Sequence, residues 1–122
     1  MQKNLYERLG GYDSIAAVVE YFMGLQFGDN QVGRFYVGHS TKSKKRLIQL
    51  ITEMICEITG GPAKYIGQDM RTAHSGLGIT GGDWQAAVKN LIAALDKFKV
   101  PQKEKDEVLA IVAGLKSVIV EL

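Results

Sequence analysis

Only two histidines stand in this chain of 122 residues, and one of them has a setting suited to holding a metal ion. His74 closes the run Met70-Arg71-Thr72-Ala73-His74 and is followed by Ser75-Gly76-Leu77-Gly78-Ile79. Gly60-Gly61-Pro62 and Tyr65-Ile66-Gly67 lie shortly upstream. A neutral imidazole can bind a metal through one ring nitrogen while the other donates a hydrogen bond to a carbonyl that fixes the ring. Taken by itself, His74 reads more readily as an ordinary loop or partly buried histidine. The neighbours change that reading. Met70 and Leu77 near helical spacing, glycine breaks on both sides and a long apolar helix upstream describe a ligand facing a pocket. The second histidine, His39 in Gly38-His39-Ser40, reads as a capping or exposed loop residue. The single Cys56 cannot make an internal disulfide and reads as a small buried hydrophobe beside an apolar stripe.

These residues need elements to position them, and the apolar pattern supplies helices with no segment that reads as a strand. Asp13 or Ser14 can cap a first helix whose stripe is Ile15, Val18, Val19, Phe22 and Met23, ending near Gly28-Asp29-Asn30. A connection through Val32, Phe35 and Tyr36 leads to Gly38-His39-Ser40-Thr41, where a second helix begins. Its face of Leu47, Leu50, Ile51, Met54, Ile55 and Ile58 is the cleanest amphipathic pattern in the chain. Gly60-Gly61-Pro62 stops it, and about twenty residues rich in glycine follow, unusually long for an irregular stretch in a compact domain. A functional loop with one short helical turn around His74 accounts for it. Thr80 can then cap a third helix, with Asp83 in its first turn and a stripe of Trp84, Ala87, Val88, Leu91, Ile92 and Leu95. Pro101 fits the first position of a last helix carrying Val108, Ile111, Val112, Leu115, Val118, Ile119 and Leu122. The expectation is an all-α chain of four substantial helices and one ligand-bearing loop, forming a single domain over residues 1–122.

Composition limits the functions available. At 46% hydrophobic and 23% charged the chain is ordinary for a soluble domain, and no run reaches the roughly eighteen apolar residues of a membrane span. The N-terminus through Arg8 has no apolar stretch suited to a signal peptide, so a cytoplasmic location is expected. The net charge of +2 comes from interspersed acidic and basic residues, leaving no nucleic-acid footprint.

Leu5-Tyr6-Glu7-Arg8-Leu9-Gly10-Gly11, Phe35-Tyr36, Gly60-Gly61-Pro62, Tyr65, Gly67, Met70-Arg71-Thr72-Ala73-His74 and Gly78-Ile79 together resemble the successive signatures of the group I truncated haemoglobins. The resemblance covers nearly the whole chain and rests on the order and spacing of its parts. It implies a two-over-two sandwich of four main helices around a b-type haem, with little of the first globin helix and a loop replacing most of the proximal one. His74 is then the proximal iron ligand. Tyr65, Ile66, Met70, Leu77, Ile79, Trp84 and Val88 line the proximal and lower haem edge, although plain core would use the same residues. Phe35, Tyr36, Met54 and Ile55 complete the pocket, and Lys44, Lys45, Arg46 and Arg71 are candidates to pair with the propionates. No Cys-x-x-Cys-His supports covalent attachment of the c type.

On the distal side this chain departs from the family. Alignment on Gly60-Gly61-Pro62 puts Leu47 at the distal gate, Leu50 one turn along, and Ile51 where many relatives carry glutamine. Alignment through Val18-Val19-Glu20 puts Met23, preceded by Phe22, where relatives usually have a tyrosine. An apolar distal pocket follows, unless a register slip brings the hydroxyl of Tyr21 or Tyr36 to it. A hydrogen bond to a partly negative dioxygen is worth about 1.5–3 kcal/mol, so its loss speeds release roughly tenfold to a hundredfold. Met23 or Met54 sulfur is a minor alternative iron ligand.

Three functional classes follow. The first is a haem protein that reversibly binds dioxygen, carbon monoxide or nitric oxide at ferrous iron, as a monomer or weak homodimer without nucleic-acid or membrane partners. The second is a nitric oxide dioxygenase or peroxidase-like enzyme served by an external reductase, since the sequence has no flavin or nicotinamide fingerprint. The third is a haem-free helical interaction module, which the apolar stripes alone would also suit.

Overall fold

The computed structural model describes residues 3–120, and all regular structure among them is helical. Met1, Gln2 and the Leu122 assigned to the last apolar stripe lie outside the described residues. Seven helices follow in order: α1 (Leu5–Arg8), α2 (Tyr12–Phe27), α3 (Thr41–Ile58), α4 (Met70–His74), α5 (Gly81–Lys97), α6 (Gln102–Ala113) and α7 (Lys116–Ile119), with a 3-10 turn at Gly33–Tyr36 between α2 and α3. Helix α2 packs on both α3 and α5, α6 packs on α5 and α1, and α7 packs on α4.

The short α1 is absent from the apolar-stripe reading but is fixed by a capping box. Asn4 Oδ1 accepts from Glu7 N at 2.9 Å, and the Glu7 carboxylate reaches back to Asn4 N. Leu5 packs with Leu95 and Val108, while Arg8 pairs with Glu104 and Glu107 on α6. The end of α3 docks on the other side of α1: Tyr6 N donates to Thr59 O at 2.9 Å, and Asn4 Nδ2 donates to Gly60 O at 3.0 Å. Contact is so close that a Cβ at Gly61 would stand 2.5 Å from the Tyr6 ring. This explains why the helix-stopping pair is glycine.

Helix α2 begins earlier than the capping pattern predicts. Gly10 and Gly11 have φ of 101° and 84°, which turn the chain directly into a helix with Gly11 as its cap, so Asp13 and Ser14 fall inside the first turn. Ile15, Val19 and Met23 form its buried stripe and meet Cys56 of α3 in one core cluster. Burying each of the three large side chains contributes about 1.5–3 kcal/mol.

Thr80 caps α5 as expected, joining Asp83 in a capping box, and α3 begins within the expected segment with Ser40 as its cap, accepting from Ser43 N. Two expectations at the C-terminal end are corrected. Pro101 is the cap of α6 rather than its first helical residue, because its ψ of 151° is extended while its carbonyl accepts from Lys105 N. The apolar stripe from Val108 onward is not one helix: α6 ends at Gly114, and a separate α7 turns back to pack on α4.

Helix α3 is also rotated from the simplest reading. Its fully buried residues are Thr52 and Cys56, with Thr52 Oγ1 donating back to Ile48 O, whereas Ile58 at the last turn is exposed. Leu47, Leu50, Ile51, Met54 and Ile55 are only half-buried. An apolar stripe pressed wholly against another helix would be covered along its length. Here it faces a cavity.

Candidate haem site

The cavity is about 1050 Å³ and is lined mainly by apolar side chains from α2, α3, α5 and the His74 segment. That volume lies at the upper end of ligand pockets, roughly 300–1,000 Å³. Leu47, Leu50, Ile51, Met54 and Ile55 of α3 form one wall, and Phe22 and Met23 of α2 join them. Phe35 and Tyr36 come from the 3-10 turn, and Trp84 and Val88 from α5. Tyr65, Met70, His74, Leu77 and Ile79 enter from the glycine-rich stretch.

His74 is positioned by a helix of barely one turn. Asp69 caps it, its Oδ2 accepting from Thr72 N at 3.2 Å, and these bonds hold the Asp69 carboxyl below the usual carboxylate range. His74 Nδ1 lies 2.8 Å from the Met70 carbonyl oxygen. A carbonyl only accepts, so Nδ1 carries a proton and donates it to Met70. This bond fixes the ring and leaves Nε2 as the nitrogen that can bind a metal.

One of the expected lining residues stands elsewhere. Ile66 is 70% exposed, because the backbone after α3 is held by Tyr65 N donating to Glu57 Oε2 and Tyr65, not its neighbour, takes the inward position. Arg71 is exposed on α4 beside Met70 and lies outside the cavity wall. Of the other propionate candidates, Lys44 places its ammonium 4.8 Å from the centre of the Phe27 ring, while Lys45 and Arg46 are exposed on α3. His39 is exposed, its Nδ1 2.7 Å from Ser43 Oγ, as its loop position suggests.

Of the two hydroxyls considered for the distal side, Tyr21 faces outward against Phe98, whereas Tyr36 lines the cavity. Tyr36 does not stand alone. Gln26, 5% exposed and also in the cavity wall, donates from Nε2 to Tyr36 Oη at 3.3 Å. The Gln26 Oε1 accepts from Asn90 Nδ2 at 2.7 Å, and the same Asn90 amide nitrogen donates to Asp29 Oδ2 at 3.2 Å. Apolar periodicity carries no signal for Gln26 or Asn90, since each is defined by partners in other elements.

The bacterial-like globin family matches residues 4–121. The chain belongs to the bacterial-like globins. It is 31% identical over 112 residues to a group 1 truncated haemoglobin of Mycolicibacterium paratuberculosis, covering 92% of this chain and 80% of that protein. A group 1 truncated haemoglobin of Synechocystis is 31% identical over 111 residues, covering 88% and 87%. Among solved structures, the 2/2 haemoglobin from Synechococcus, in a cyanomet state with covalently attached haem, superposes with a TM-score of 0.82 at 31% identity over 91% of each chain. The Fe(III) truncated haemoglobin of Tetrahymena pyriformis has the same fold, with a TM-score of 0.89, 23% identity and coverage of 98% and 100%. Membership of the globins supports haem-based gas binding by this chain.

In this globin the cavity is also braced by a buried carboxylate that the sequence reading takes only as a first-turn residue. Asp83 is 2% exposed and accepts from Arg34 at both oxygens, from Thr80 N at 2.9 Å and from Gln31 Nε2 at 3.1 Å. The Arg34 guanidinium, ahead of the other partners, holds the Asp83 carboxyl far below the usual carboxylate range. The pair ties the start of α5 to the turn that carries Phe35 and Tyr36.

Proposed function

We propose that the cavity holds a b-type haem with His74 Nε2 as the proximal iron ligand, and that the chain binds a diatomic gas on the opposite face. The observation that carries this reading is the His74 imidazole, set at the wall of a large apolar cavity with its Nδ1 proton already committed to the Met70 carbonyl. When bound, the haem supplies a ferrous iron able to take up dioxygen, carbon monoxide or nitric oxide.

The chain's own groups then do three things. Met70 O fixes the His74 ring so that Nε2 is presented without a tautomer change. Leu47, Leu50 and Ile51 exclude water and offer no hydrogen-bond donor, so the α3 wall is apolar and does not distinguish polar from non-polar diatomic ligands. The half-buried side chains of α3, with Trp84 and Val88 across from them in sequence, supply the apolar surface that a flat macrocycle would cover.

Titration of the purified chain with ferric haem, followed by absorbance, tests the reading. One haem taken up per chain supports it. Absence of stoichiometric uptake overturns it in favour of a haem-free interaction module.

A further inference from the structure

The polar corner of the cavity has a defined direction. Asp29 Oδ2 is a carboxylate oxygen and only accepts, so the Asn90 side chain must turn its nitrogen toward it. The same nitrogen meets Gln26 Oε1, which requires Gln26 to turn its own nitrogen toward Tyr36. Tyr36 Oη therefore accepts, and its proton is not used in that bond. Among the described residues, no side-chain or backbone acceptor receives this proton, although the ring is half-buried and lines the cavity.

Other arrangements of these four side chains are closed off by the same logic. Asp29 is itself fixed, because its Oδ1 accepts from Gln31 N at 2.7 Å and Val32 N at 3.0 Å at the end of α2. Reversing either amide would set a carbonyl oxygen against the carboxylate or a nitrogen against a nitrogen. Burial of Gln26 makes such a mismatch costly. One end of the chain of bonds is anchored by charge and the other ends at a hydroxyl.

We infer that the Asp29–Asn90–Gln26 chain fixes the direction of the Tyr36 hydroxyl, making Tyr36 the hydrogen-bond donor to a partly negative ligand in the cavity and Asp29, Asn90 and Gln26 its positioning residues. This inference rests on the reading of the cavity as a haem and gas site. It restores a donor that Met23 and the α3 wall do not provide, and it takes that donor from the 3-10 turn. Carbon monoxide, less polar than dioxygen, gains less from it.

The variant Asp29→Asn separates this account from a simple charge effect. An asparagine keeps an oxygen for Gln31 N and Val32 N but presents an amide nitrogen to Asn90. Asn90 and then Gln26 reverse, and the Gln26 carbonyl now accepts the Tyr36 proton. A hydrogen bond that stabilises the neutral phenol moves its titration to higher pH, whereas mere removal of a nearby negative charge moves it lower. The measurement is tyrosine-ring 13C NMR titration of the purified full chain, with Tyr36→Phe assigning the resonance. It reads the hydroxyl directly and does not depend on gas binding.

On the haem-loaded chain, dioxygen dissociation is followed in parallel. Tyr36→Phe and Asp29→Asn are both expected to speed it by about tenfold. Gln26→Glu, which places an acceptor one link nearer, is expected to do the same and covers the case in which Asp29→Asn fails to fold. A Tyr36 titration that moves lower in Asp29→Asn, or acceleration in Tyr36→Phe alone, overturns the directing chain. An unchanged rate in Tyr36→Phe overturns Tyr36 as donor. Failure to take up haem would count against the gas-site reading, while the NMR titration still decides the direction of the hydroxyl.

Discussion

The guanidinium of Arg34 forks onto the carboxylate of Asp83 through bonds of 3.0 and 2.8 Å, across 49 positions of sequence. Asp83 is nearly inaccessible, while the Arg34 side chain is half exposed. Removing the arginine leaves a buried carboxylate with only Thr80 N and Gln31 Nε2. Arg34→Ala is expected to cost about 2 kcal/mol and to lower Tm by roughly 6–10 °C, as read by thermal unfolding of the haem-loaded chain.

The same pair predicts a pH dependence of defined sign. The folded-state carboxyl of Asp83 is held far below its ordinary value, so the stabilisation is fully present above the unfolded carboxyl's pKa, about 3.9, and is lost as pH falls further. The stability gap between the unaltered chain and Arg34→Ala is therefore constant near neutrality and narrows below about pH 4. Denaturant titrations at stepped pH check it, and a gap that widens on acidification contradicts the direction given for Asp83.

Much of this architecture is visible in the sequence because its cause is local. Ser40 and the Thr80–Asp83 box announce the starts of α3 and α5, and Gly60-Gly61-Pro62 announces the end of α3. Asn4 and Glu7 carry an equally local capping signal for α1, but four residues with one buried leucine show no stripe. The break at Gly114 escapes the pattern because apolar residues continue through it, and only packing of α7 on α4 separates the two helices. The Gln26–Asn90 bond spans 64 positions, and the Arg34–Asp83 pair joins a turn to a distant helix. Pairings of that kind leave no periodic trace. Periodicity likewise places Leu47, Ile51 and Ile55 on one face without saying whether that face meets a helix or a cavity. Their half-burial decides it.

The α3 wall makes Ile51 a position where a donor can be added. Ile51→Gln puts an amide at the cavity surface and is expected to slow dioxygen dissociation about tenfold, with a smaller effect on carbon monoxide. Laser flash photolysis and stopped-flow mixing measure both rates. Equal slowing of the two gases would indicate altered access and would contradict an apolar α3 face toward the ligand.

Cys56 is fully buried in the α2–α3 core, and burial pushes its thiol pKa up. Thiolate is the reactive form, so labelling by a thiol reagent at neutral pH is expected to be slow and to follow the opening of the core. Reaction with a small-molecule disulfide under native and denaturing conditions gives the comparison. Rapid native labelling would contradict this placement of Cys56.

In the proposed function, His74 holds haem iron at the wall of this cavity. The most direct test is the absorption spectrum of the haem-reconstituted chain in its ferric, ferrous and ferrous carbon monoxide states, beside the same series for His74→Ala. A five-coordinate, histidine-type ferrous spectrum that converts cleanly with carbon monoxide and is lost in the variant is expected. A His74→Ala spectrum unchanged from that of the unaltered chain would contradict it.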